Sequence, residues 1–418
     1  MIKVAIMGYG TIGSGVYEVL ETNKEVLAAS VGQELSVKYI LDLRDFPGTS
    51  VEKLIVHDFS VICQDEEVKI VVETMGGLDP AYPFVKACLE AGKHVATSNK
   101  ALVAAHGTEL LAIARKKKVN FMFEASVGGG IPIIRPLYRC LMGEKIEEIT
   151  GILNGTTNFI LTKMDKEGTS FERALKEAQA LGYAERNPEA DVEGHDTCRK
   201  IAILTAMATG REVNYEEIPT EGITKITDMD FRYADALGMS IKLVGQSRME
   251  NGKTYAWVAP LMIGKDHPLY AVSDVYNGIV VKGNMVGTTM YYGSGAGKLP
   301  TASAVVADMV EEAKHISSNV PIGWSGEKLS VASGQDLIYR YFVRVSGSCE
   351  DRKDLVEAAF GKSRFAQLEG ADEFAFFTGE MKEARFMESL EILKEELTAE
   401  NERVLQVIRG ERQGAGPG

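Results

Sequence analysis

The sequence has few of the features that mark secreted, membrane-bound or nucleic-acid-binding proteins. Its 418 residues include only 5 cysteines and 2 tryptophans. No stretch approaches the roughly 20 consecutive apolar residues that a membrane span needs. The amino terminus, MIKVAIMGYG, lacks the apolar core and the cleavage site of a signal peptide. These absences predict a soluble, cytoplasmic chain that does not interact with a membrane.

The cysteines are odd in number and scattered along the chain, at Cys63, Cys88, Cys140, Cys198 and Cys349. They form no Cys-x-x-Cys pair, which argues against a disulfide framework and against a cysteine-ligated zinc site. Positive charge is also scarce, since 46 Lys and Arg stand against 59 Asp and Glu, a formal net charge of −13. An acidic surface repels phosphate backbones, so no nucleic-acid partner is expected.

Short apolar strands alternate with amphipathic helices over residues 1–130. Strands are predicted near residues 3–7, 37–41, 68–74, 93–98 and 119–126, with helices in between. Such an alternation indicates an α/β fold built on a doubly wound parallel sheet of the Rossmann type.

The pattern changes after residue 131. Residues 171–210 have a helical period, and closely spaced strands with glycine turns at 253–293 predict an antiparallel sheet. A strong amphipathic helix is predicted at 300–316, opened by Pro300 and Thr301. We therefore predict a dinucleotide-binding domain (1–130 plus 296–330), an α+β substrate domain (131–295) and a small α+β domain (331–418), with the tail GERQGAGPG frayed.

A glycine-rich hexapeptide, Gly-Tyr-Gly-Thr-Ile-Gly, lies between the first predicted strand and the first helix. In this context it is the dinucleotide-binding fingerprint. Its first glycine permits a tight turn, the second lets the backbone approach a pyrophosphate, and the third lets the helix pack on the strand. The helix start offers free N–H groups to the phosphates. The candidate cofactor-binding residues here are Gly8, Gly10, Thr11, Ile12 and Gly13.

The end of the second predicted strand should distinguish NAD from NADP. An acidic residue there binds the ribose 2′-hydroxyl of NAD, and a basic one favours the 2′-phosphate of NADP. The segment Leu-Asp-Leu-Arg offers both, as Asp42 and Arg44. Both cofactors therefore stay open, with Arg44 and Thr74 as further candidate contacts.

Two other segments carry charged residues in suggestive places. Lys100 follows the fourth predicted strand, where it either points into the ligand crevice or lies in solvent beside Asn99 as a helix cap. Asp196 and Lys200 are four residues apart and share one face of a helix. A lysine beside an aspartate can lend a proton to an alkoxide or aldehyde oxygen. The alternative is an exposed salt bridge of little energetic weight.

Several segments, in this order, resemble homoserine dehydrogenases. They are GYGTIGSGV (8–16), SNKALVA (98–104), EASVGGGIPII (124–134), LNGTTNFIL (153–161), LGYAERNPEADVEGHDTCRK (181–200) and GSGAGKLPTASAVVAD (293–308). This family interconverts L-homoserine and L-aspartate 4-semialdehyde with NAD or NADP, on the route to threonine, methionine and isoleucine.

The resemblance implies a role for each matching residue. Lys200 would donate and accept the substrate proton, Asp196 would position it, and Lys100 would reach both substrate and nicotinamide. Gly182 and Gly295 would join the cofactor-binding residues. The substrate would be bound by Glu185, Asp191, Gly155, Thr156 and Tyr183. A sodium ion would be held by main-chain oxygens of Glu124, Val127, Gly129 and Ile131. The family also implies a homodimer or higher homo-oligomer, formed through the second domain.

The carboxy-terminal domain resembles an ACT regulatory module, a β-α-β-β-α-β unit whose first strand would be IYRYFVRVSG. The Asp-x-Pro-Gly turn usual after that strand is replaced by Ser-Cys-Glu-Asp at 348–351. Regulation by threonine is therefore left open. Two alternative functions also remain, a reductase of another amino-acid semialdehyde and a cofactor-binding amino-acid sensor without activity.

Overall fold

A computed structural model describes residues 1–399 and 402–412. Residues 413–418, most of the tail predicted to be frayed, lie outside the described residues. The helices are α1 (Thr11–Thr22), α2 (Lys24–Val31), α3 (Phe59–Gln64), α4 (Ala81–Glu90), α5 (Lys100–Lys117), α6 (Gly155–Glu167), α7 (Phe171–Ala180), α8 (Glu189–Val192), α9 (His195–Thr209), α10 (Asp228–Ala236), α11 (Lys298–Lys314), α12 (Cys349–Phe360) and α13 (Glu383–Ala399).

The strands are β1 (Ile2–Met7), β2 (Leu35–Leu41), β3 (Ile55–Val56), β4 (Val68–Glu73), β5 (His94–Thr97), β6 (Phe121–Met122), β7 (Ile146–Ile152), β8 (Glu212–Val213), β9 (Met239–Glu250), β10 (Lys253–Gly264), β11 (Tyr276–Gly283), β12 (Gly287–Ser294), β13 (Lys328–Leu329), β14 (Ile338–Ser346), β15 (Arg364–Gln367), β16 (Glu373–Phe377), β17 (Met381–Lys382) and β18 (Val404–Gly410). Within the described ranges, no helix is long and apolar enough to cross a membrane.

The chain forms two compact units, each assembled from separated stretches of sequence. The first unit contains residues 1–149, 199–218 and 281–330, and the second contains 150–198, 219–280 and 331–418. The division into three functional domains stays a prediction.

A six-stranded parallel sheet forms the centre of the first unit, in the order β3-β2-β1-β4-β5-β6. Its middle strands are buried on both faces, since the consecutive residues Ala5 and Ile6 of β1, and Val71 and Val72 of β4, are all fully buried. The strand order reverses between β1 and β4, and ligands bind at such a switch point, beyond the carboxyl ends of the strands. The predicted Rossmann-type sheet is confirmed.

Two boundaries in the first unit differ from the prediction. The fifth predicted strand, 119–126, is reduced to β6, because Glu124 already begins a 3-10 turn that ends at Ser126. Helix α11 begins at Lys298, two residues before Pro300. A proline fits there because the first helical turn has no N–H partners to lose.

The second unit contains a mixed sheet in which β11-β7-β9-β10-β18-β14-β16-β15 are neighbours in that order. Strands β9 and β10 form a long hairpin whose turn residues Asn251 and Gly252 have positive φ, 54° and 75°, as an Asn-Gly hairpin turn favours. Strand β10 pairs with β9 in antiparallel, as predicted for this region, but the whole sheet is mixed, because β18 pairs with β10 in parallel, Leu261 opposite Arg409. Strand β9 was not predicted.

The carboxy-terminal elements follow the order β14-α12-β15-β16-α13-β18, with β17 added on β14. Their neighbouring strands are antiparallel, in the order β18-β14-β16-β15. Aromatic side chains pack between this sheet and its helices. The rings of Tyr341 on β14 and Phe386 on α13 stack with their centroids 3.6 Å apart. This region is α+β, as predicted, but its sheet is continuous with β10 instead of separate.

Candidate functional site

The glycine loop lies at the carboxyl end of β1. Gly8 has φ +95°, and a Cβ atom at Gly13 would lie 1.9 Å from the Gly8 carbonyl oxygen. Both positions therefore require glycine. A Cβ atom at Gly10 would meet nothing within 4 Å, so this side of the loop is open at the start of α1. The arrangement fits a dinucleotide pyrophosphate held by the free N–H groups of α1, including those of Thr11 and Ile12.

Thr74 supports this loop from the end of β4. Its hydroxyl donates to the carbonyl oxygen of Gly8 at 2.9 Å and to that of Met7 at 3.2 Å. The fully buried Glu73 before it accepts from the N–H groups of Met75 and Gly76 at 2.8 and 3.2 Å. Burial raises the pKa of Glu73. Sequence reasoning missed this residue, although an acid closing the apolar strand VKIVVE was the available signal.

Lys100 is the first residue of α5, directly after β5. Asn99 caps this helix by accepting from the N–H of Leu102 at 3.1 Å, and its amide donates to the carbonyl of Gly77 at 2.6 Å. The cap brings the chain after β5 against the loop after β4. Lys100 is thus half-buried at the carboxyl edge of the sheet, where the crevice was predicted.

Asp42 and Arg44 lie immediately after β2 and bind each other. Asp42 accepts from the Arg44 side chain at 2.9 and 3.0 Å and from the N–H of Tyr9 at 2.8 Å. The hydrogen bond from the Arg44 guanidinium, despite partial burial, lowers the pKa of Asp42 to about 2. The Arg44 side chain keeps 62% of its exposure. The carboxylate and the guanidinium are therefore bound to each other, and the guanidinium also donates to the carbonyl of Tyr9 at 3.1 Å, while most of the Arg44 side chain stays exposed.

The loop after β6 is organised by the side chain of Glu124, which is 2% exposed. Its carboxylate accepts from the N–H groups of Ile133, Ile134 and Arg135 at 2.6, 2.8 and 2.7 Å. The N–H of Glu124 donates to Asp308 of α11 at 2.7 Å, and Asp308 also pairs with Arg135. These bonds close residues 124–135 into one rigid loop.

Three consecutive glycines let this loop pack closely. Gly129 has φ +58°, and its Cβ atom would lie 2.3 Å from the carbonyl oxygen of Gly295. The N–H of Gly130 donates to the carbonyl of Ser294 at 3.0 Å. Gly295 therefore contacts the loop through backbone atoms, and its contact with the cofactor stays a prediction.

In the second unit, Asn154 brings two of the predicted carboxylates together. It caps α6 by accepting from the N–H of Thr157 at 2.8 Å. Its amide donates to Asp191 at 2.8 Å and to Asp196 at 2.9 Å. Sequence reasoning missed Asn154, although an Asn before a predicted helix was the available signal.

The other predicted substrate residues of this unit lie at the start of α6 and after α7. The hydroxyl of Thr156 donates to the carbonyl of Tyr183 at 2.6 Å. Gly155 is half-buried, Gly182 has φ +77°, and the side chains of Tyr183 and Glu185 are exposed. Thr156 and Tyr183 are thus joined by a hydrogen bond.

Asp196 and Lys200 lie on one face of α9 and are 2% and 8% exposed. Their neighbour His195 on the same helix is exposed. The alternative of a surface salt bridge is therefore wrong, because such bridges lie in solvent and a lysine is rarely this buried without a structural or chemical reason. Across the described residues, no group of three or more His, Cys, Asp or Glu side chains could hold a metal ion.

Known proteins match most of the chain. The family model for homoserine dehydrogenase matches residues 132–310, and that for the homoserine dehydrogenase NAD binding domain matches residues 8–124. The homoserine dehydrogenase of Pseudomonas aeruginosa is 43% identical over 320 residues, which covers 76% of this chain and 74% of the relative. The chain belongs to the homoserine dehydrogenase family.

Other homoserine dehydrogenases also match most of the chain. That of Bacillus subtilis is 39% identical and covers 82% of this chain and 81% of its own length. The crystal structure of the Thiobacillus denitrificans homoserine dehydrogenase has a TM-score of 0.88 at 34% identity, and covers 99% of both chains. A hyperthermophilic archaeal homoserine dehydrogenase in complex with NADPH has a TM-score of 0.64 at 28% identity, over 74% of this chain and 97% of its own.

The protein is accordingly an NAD(P)-dependent oxidoreductase with homoserine dehydrogenase activity in amino-acid biosynthesis. The glycine loop of the first unit belongs to its NAD(P)-binding domain. The family assignment removes the reason for the two alternatives, a sensor without activity and a reductase of another semialdehyde.

Proposed function

We propose that Lys200 transfers the substrate proton in the interconversion of L-homoserine and L-aspartate 4-semialdehyde, with Asp196 as its positioning residue. The observation that carries the proposal is the burial of both side chains on one face of α9. Burial of two opposite charges is costly in free energy, so they are expected where chemistry requires them.

The bound nicotinamide supplies the hydride in the reducing direction. As the hydride reaches the aldehyde carbon, negative charge develops on the aldehyde oxygen. The Lys200 ammonium stabilises this charge and gives up a proton to that oxygen. In the oxidising direction, the neutral amine takes the proton of the homoserine hydroxyl. The carboxylate of Asp196, one helical turn earlier, favours the charged ammonium and restricts its orientation.

The remaining predicted residues would bind the substrate and hold it in position. We propose that Glu185 and Asp191 bind the substrate ammonium, since carboxylates are suitable acceptors for it. Thr156, Tyr183 and Gly155 would line the same subsite, and Lys100 would contact the substrate carboxylate or the nicotinamide. The amide of Asn154 supports this subsite, because it fixes Asp191 relative to Asp196.

The Lys200→Met variant tests the proton transfer, because methionine keeps the length of the side chain and removes its charge. We expect kcat to fall by about 10²–10⁴-fold, with the dissociation constant for NADPH unchanged. His195→Gln, an exposed position on the same helix, is the matched control and should retain the wild-type kcat. Unaltered turnover in Lys200→Met would contradict the assigned role.

We also propose that NADP is the preferred cofactor and that Arg44 binds its 2′-phosphate. Both oxygens of Asp42 already accept hydrogen bonds from Tyr9 and Arg44, whereas the Arg44 side chain, although bound to Asp42, stays 62% exposed. A charge-assisted hydrogen bond contributes about 1.5–3 kcal/mol. Arg44→Gln should therefore lower kcat/KM for NADPH by roughly 10–100-fold and leave that for NADH unchanged. Lys24→Gln, which affects an exposed ion pair with Glu34, is the control. Equal losses with both cofactors would contradict the proposal.

A monovalent cation, sodium in the first instance, is proposed at the main-chain oxygens of Glu124, Val127, Gly129 and Ile131. All four residues are buried. Among the described hydrogen bonds, none ends on the carbonyl oxygens of these residues, which suits a hard cation ligated by oxygen. A cation there would fix the loop. We expect sodium chloride to raise the melting temperature more than choline chloride at equal ionic strength, and equal effects would count against the site.

Assembly and regulation complete the proposal. We expect a homodimer or a higher oligomer, and a monomer in sedimentation at micromolar concentration would overturn this expectation.

The β-α-β-β-α-β order after residue 331 supports an ACT-like regulatory module. A thermal-shift screen of the proteinogenic amino acids would then find an effector. A screen in which no amino acid shifts the melting temperature would argue against regulation of this kind.

A further inference from the structure

Two of the five cysteines lie on neighbouring helices of the first unit. Cys63 lies on α3 and Cys88 on α4, and these two helices pack against each other. One helical turn earlier on each helix, the rings of Phe59 and Phe84 stack with centroids 4.0 Å apart and an interplanar angle of 1°. Because Cys63 and Cys88 each lie four residues after one of the stacked rings, the packing of α3 on α4 places both cysteines on the same side of the helix pair as those rings.

The two thiols differ in their surroundings. Cys63 is half-buried and reachable from solvent, whereas Cys88 is completely buried behind it. The ammonium of Lys93 is held beside them by the carbonyl oxygens of Asp65 and Val68, at 2.6 and 3.1 Å. The hydrogen bond from Cys88, with a smaller contribution from the Lys93 charge, lowers the pKa of Cys63 to about 6. The pKa of the Cys88 thiol is raised.

An accessible thiol that ionises near neutral pH, with a second thiol within reach, is the arrangement of oxidation-sensitive dithiols. We propose that Cys63 is a peroxide-reactive thiol and that Cys88 resolves it as an intramolecular disulfide between α3 and α4. The oxidant is hydrogen peroxide or a small organic hydroperoxide. A cytosolic disulfide of this kind is transient, as expected in a reducing compartment.

The chemistry balances in two steps. The Cys63 thiolate attacks a peroxide oxygen, so that an S–O bond forms, the O–O bond breaks, and hydroxide leaves and takes up a proton. The Cys88 sulfur then attacks the sulfenic acid, an S–S bond forms, the S–O bond breaks, and the departing hydroxide takes the Cys88 proton. Two electrons pass from the sulfur pair to one peroxide. Hydrogen peroxide yields two waters, whereas an organic hydroperoxide loses alkoxide in place of hydroxide in the first step and yields one alcohol and one water.

The test treats the full-length protein with one equivalent of hydrogen peroxide at pH 7. Peptide mapping without reductant should find a Cys63–Cys88 linkage, with an intact mass lower by two hydrogens that dithiothreitol restores. The Cys88→Ser variant should instead stop at a Cys63 sulfenic acid that dimedone traps. The Cys140→Ser variant, which removes an exposed thiol elsewhere, should still form the linkage.

The pH dependence provides a second readout, independent of catalytic activity. The rate of Cys63 oxidation should reach half its maximum near pH 6, whereas an ordinary thiol does so near about 8.5. Oxidation of Cys140 at least as fast as that of Cys63, with no Cys63–Cys88 peptide, would overturn the proposal. So would a Cys63 reaction that rises only above about pH 8.5.

Discussion

Replacing Gly13 by alanine tests whether the glycine loop is shaped by packing within the protein, before any cofactor binds. The new Cβ atom would lie 1.9 Å from the Gly8 carbonyl oxygen and 2.9 Å from the Thr74 hydroxyl oxygen. Non-bonded heavy atoms settle about 3.5 Å apart. The Gly8 carbonyl is backbone, so it must move by more than about 1 Å, and the hydrogen bond from Thr74 moves with it.

The expected cost follows from overpacking. Extra methyl groups in tight sites cost about 1–3 kcal/mol, and the upper end applies because a backbone atom is displaced. In a unit of this size, 1 kcal/mol corresponds to roughly 2–4 °C in melting temperature. Gly13→Ala should therefore melt about 6–12 °C below the wild type in the absence of cofactor. Differential scanning calorimetry measures this loss directly.

Gly10→Ala is the matched control, since it adds the same methyl group to the same loop. Gly10 has φ −82° and ψ −155°, which alanine adopts, and its Cβ would meet nothing within 4 Å. Its melting temperature should stay within about 2 °C of the wild type. Its affinity for NADPH should fall tenfold or more, because the methyl group occupies the face open to the pyrophosphate.

The reasoning is refuted if Gly13→Ala keeps the wild-type melting temperature without cofactor. A Gly10→Ala variant that loses stability but keeps its NADPH affinity would refute it equally, because the two glycines would then have exchanged roles.

Three further changes test buried polar groups. Burial raises the pKa of Glu312 above its unfolded value, so the folded state loses up to 1.4 kcal/mol of stability per pH unit as the pH rises above about 4.3. The melting temperature of Glu312→Gln should therefore depend less on pH than that of the wild type. Parallel curves of melting temperature against pH would contradict this. The Asn154→Ser variant keeps a helix cap but loses the amide hydrogen bonds to Asp191 and Asp196. Its kcat/KM for homoserine should fall about tenfold while its stability is retained. A loss of stability without a loss of kcat/KM would count against this role of Asn154. Burial lowers the pKa of Lys242 to about 8, so Lys242→Met should stabilise by about 2 kcal/mol at pH 7. Since the wild-type lysine becomes neutral in both states at high pH, that gain should shrink by about pH 10, and urea unfolding at both pH values measures it.

The sequence alone determined those parts of the protein that depend on neighbouring residues. The glycine loop was predicted because Gly8, Gly10 and Gly13 follow an apolar strand and open a helix, and turns of this kind are set by local backbone freedom. The cap of α5 by Asn99 and the shared face of Asp196 and Lys200 follow equally from helical geometry. The doubly wound parallel sheet was also predicted, since strands that alternate with helices along the chain form βαβ connections of one hand.

Only the tertiary structure decided the features that join residues far apart in sequence. Asn154 binds two carboxylates 37 and 42 positions away, and Asp308 holds the loop at Glu124 across 184 positions. The carboxy-terminal strands are part of the sheet of the second unit because β18 pairs with β10. Edge pairing depends on which strand is left open nearby, and buried polar groups need partners wherever the chain brings them. Neither the pairing of an edge strand nor the partner of a buried polar group produces a periodic pattern in the sequence, because both depend on which residues lie close together in space.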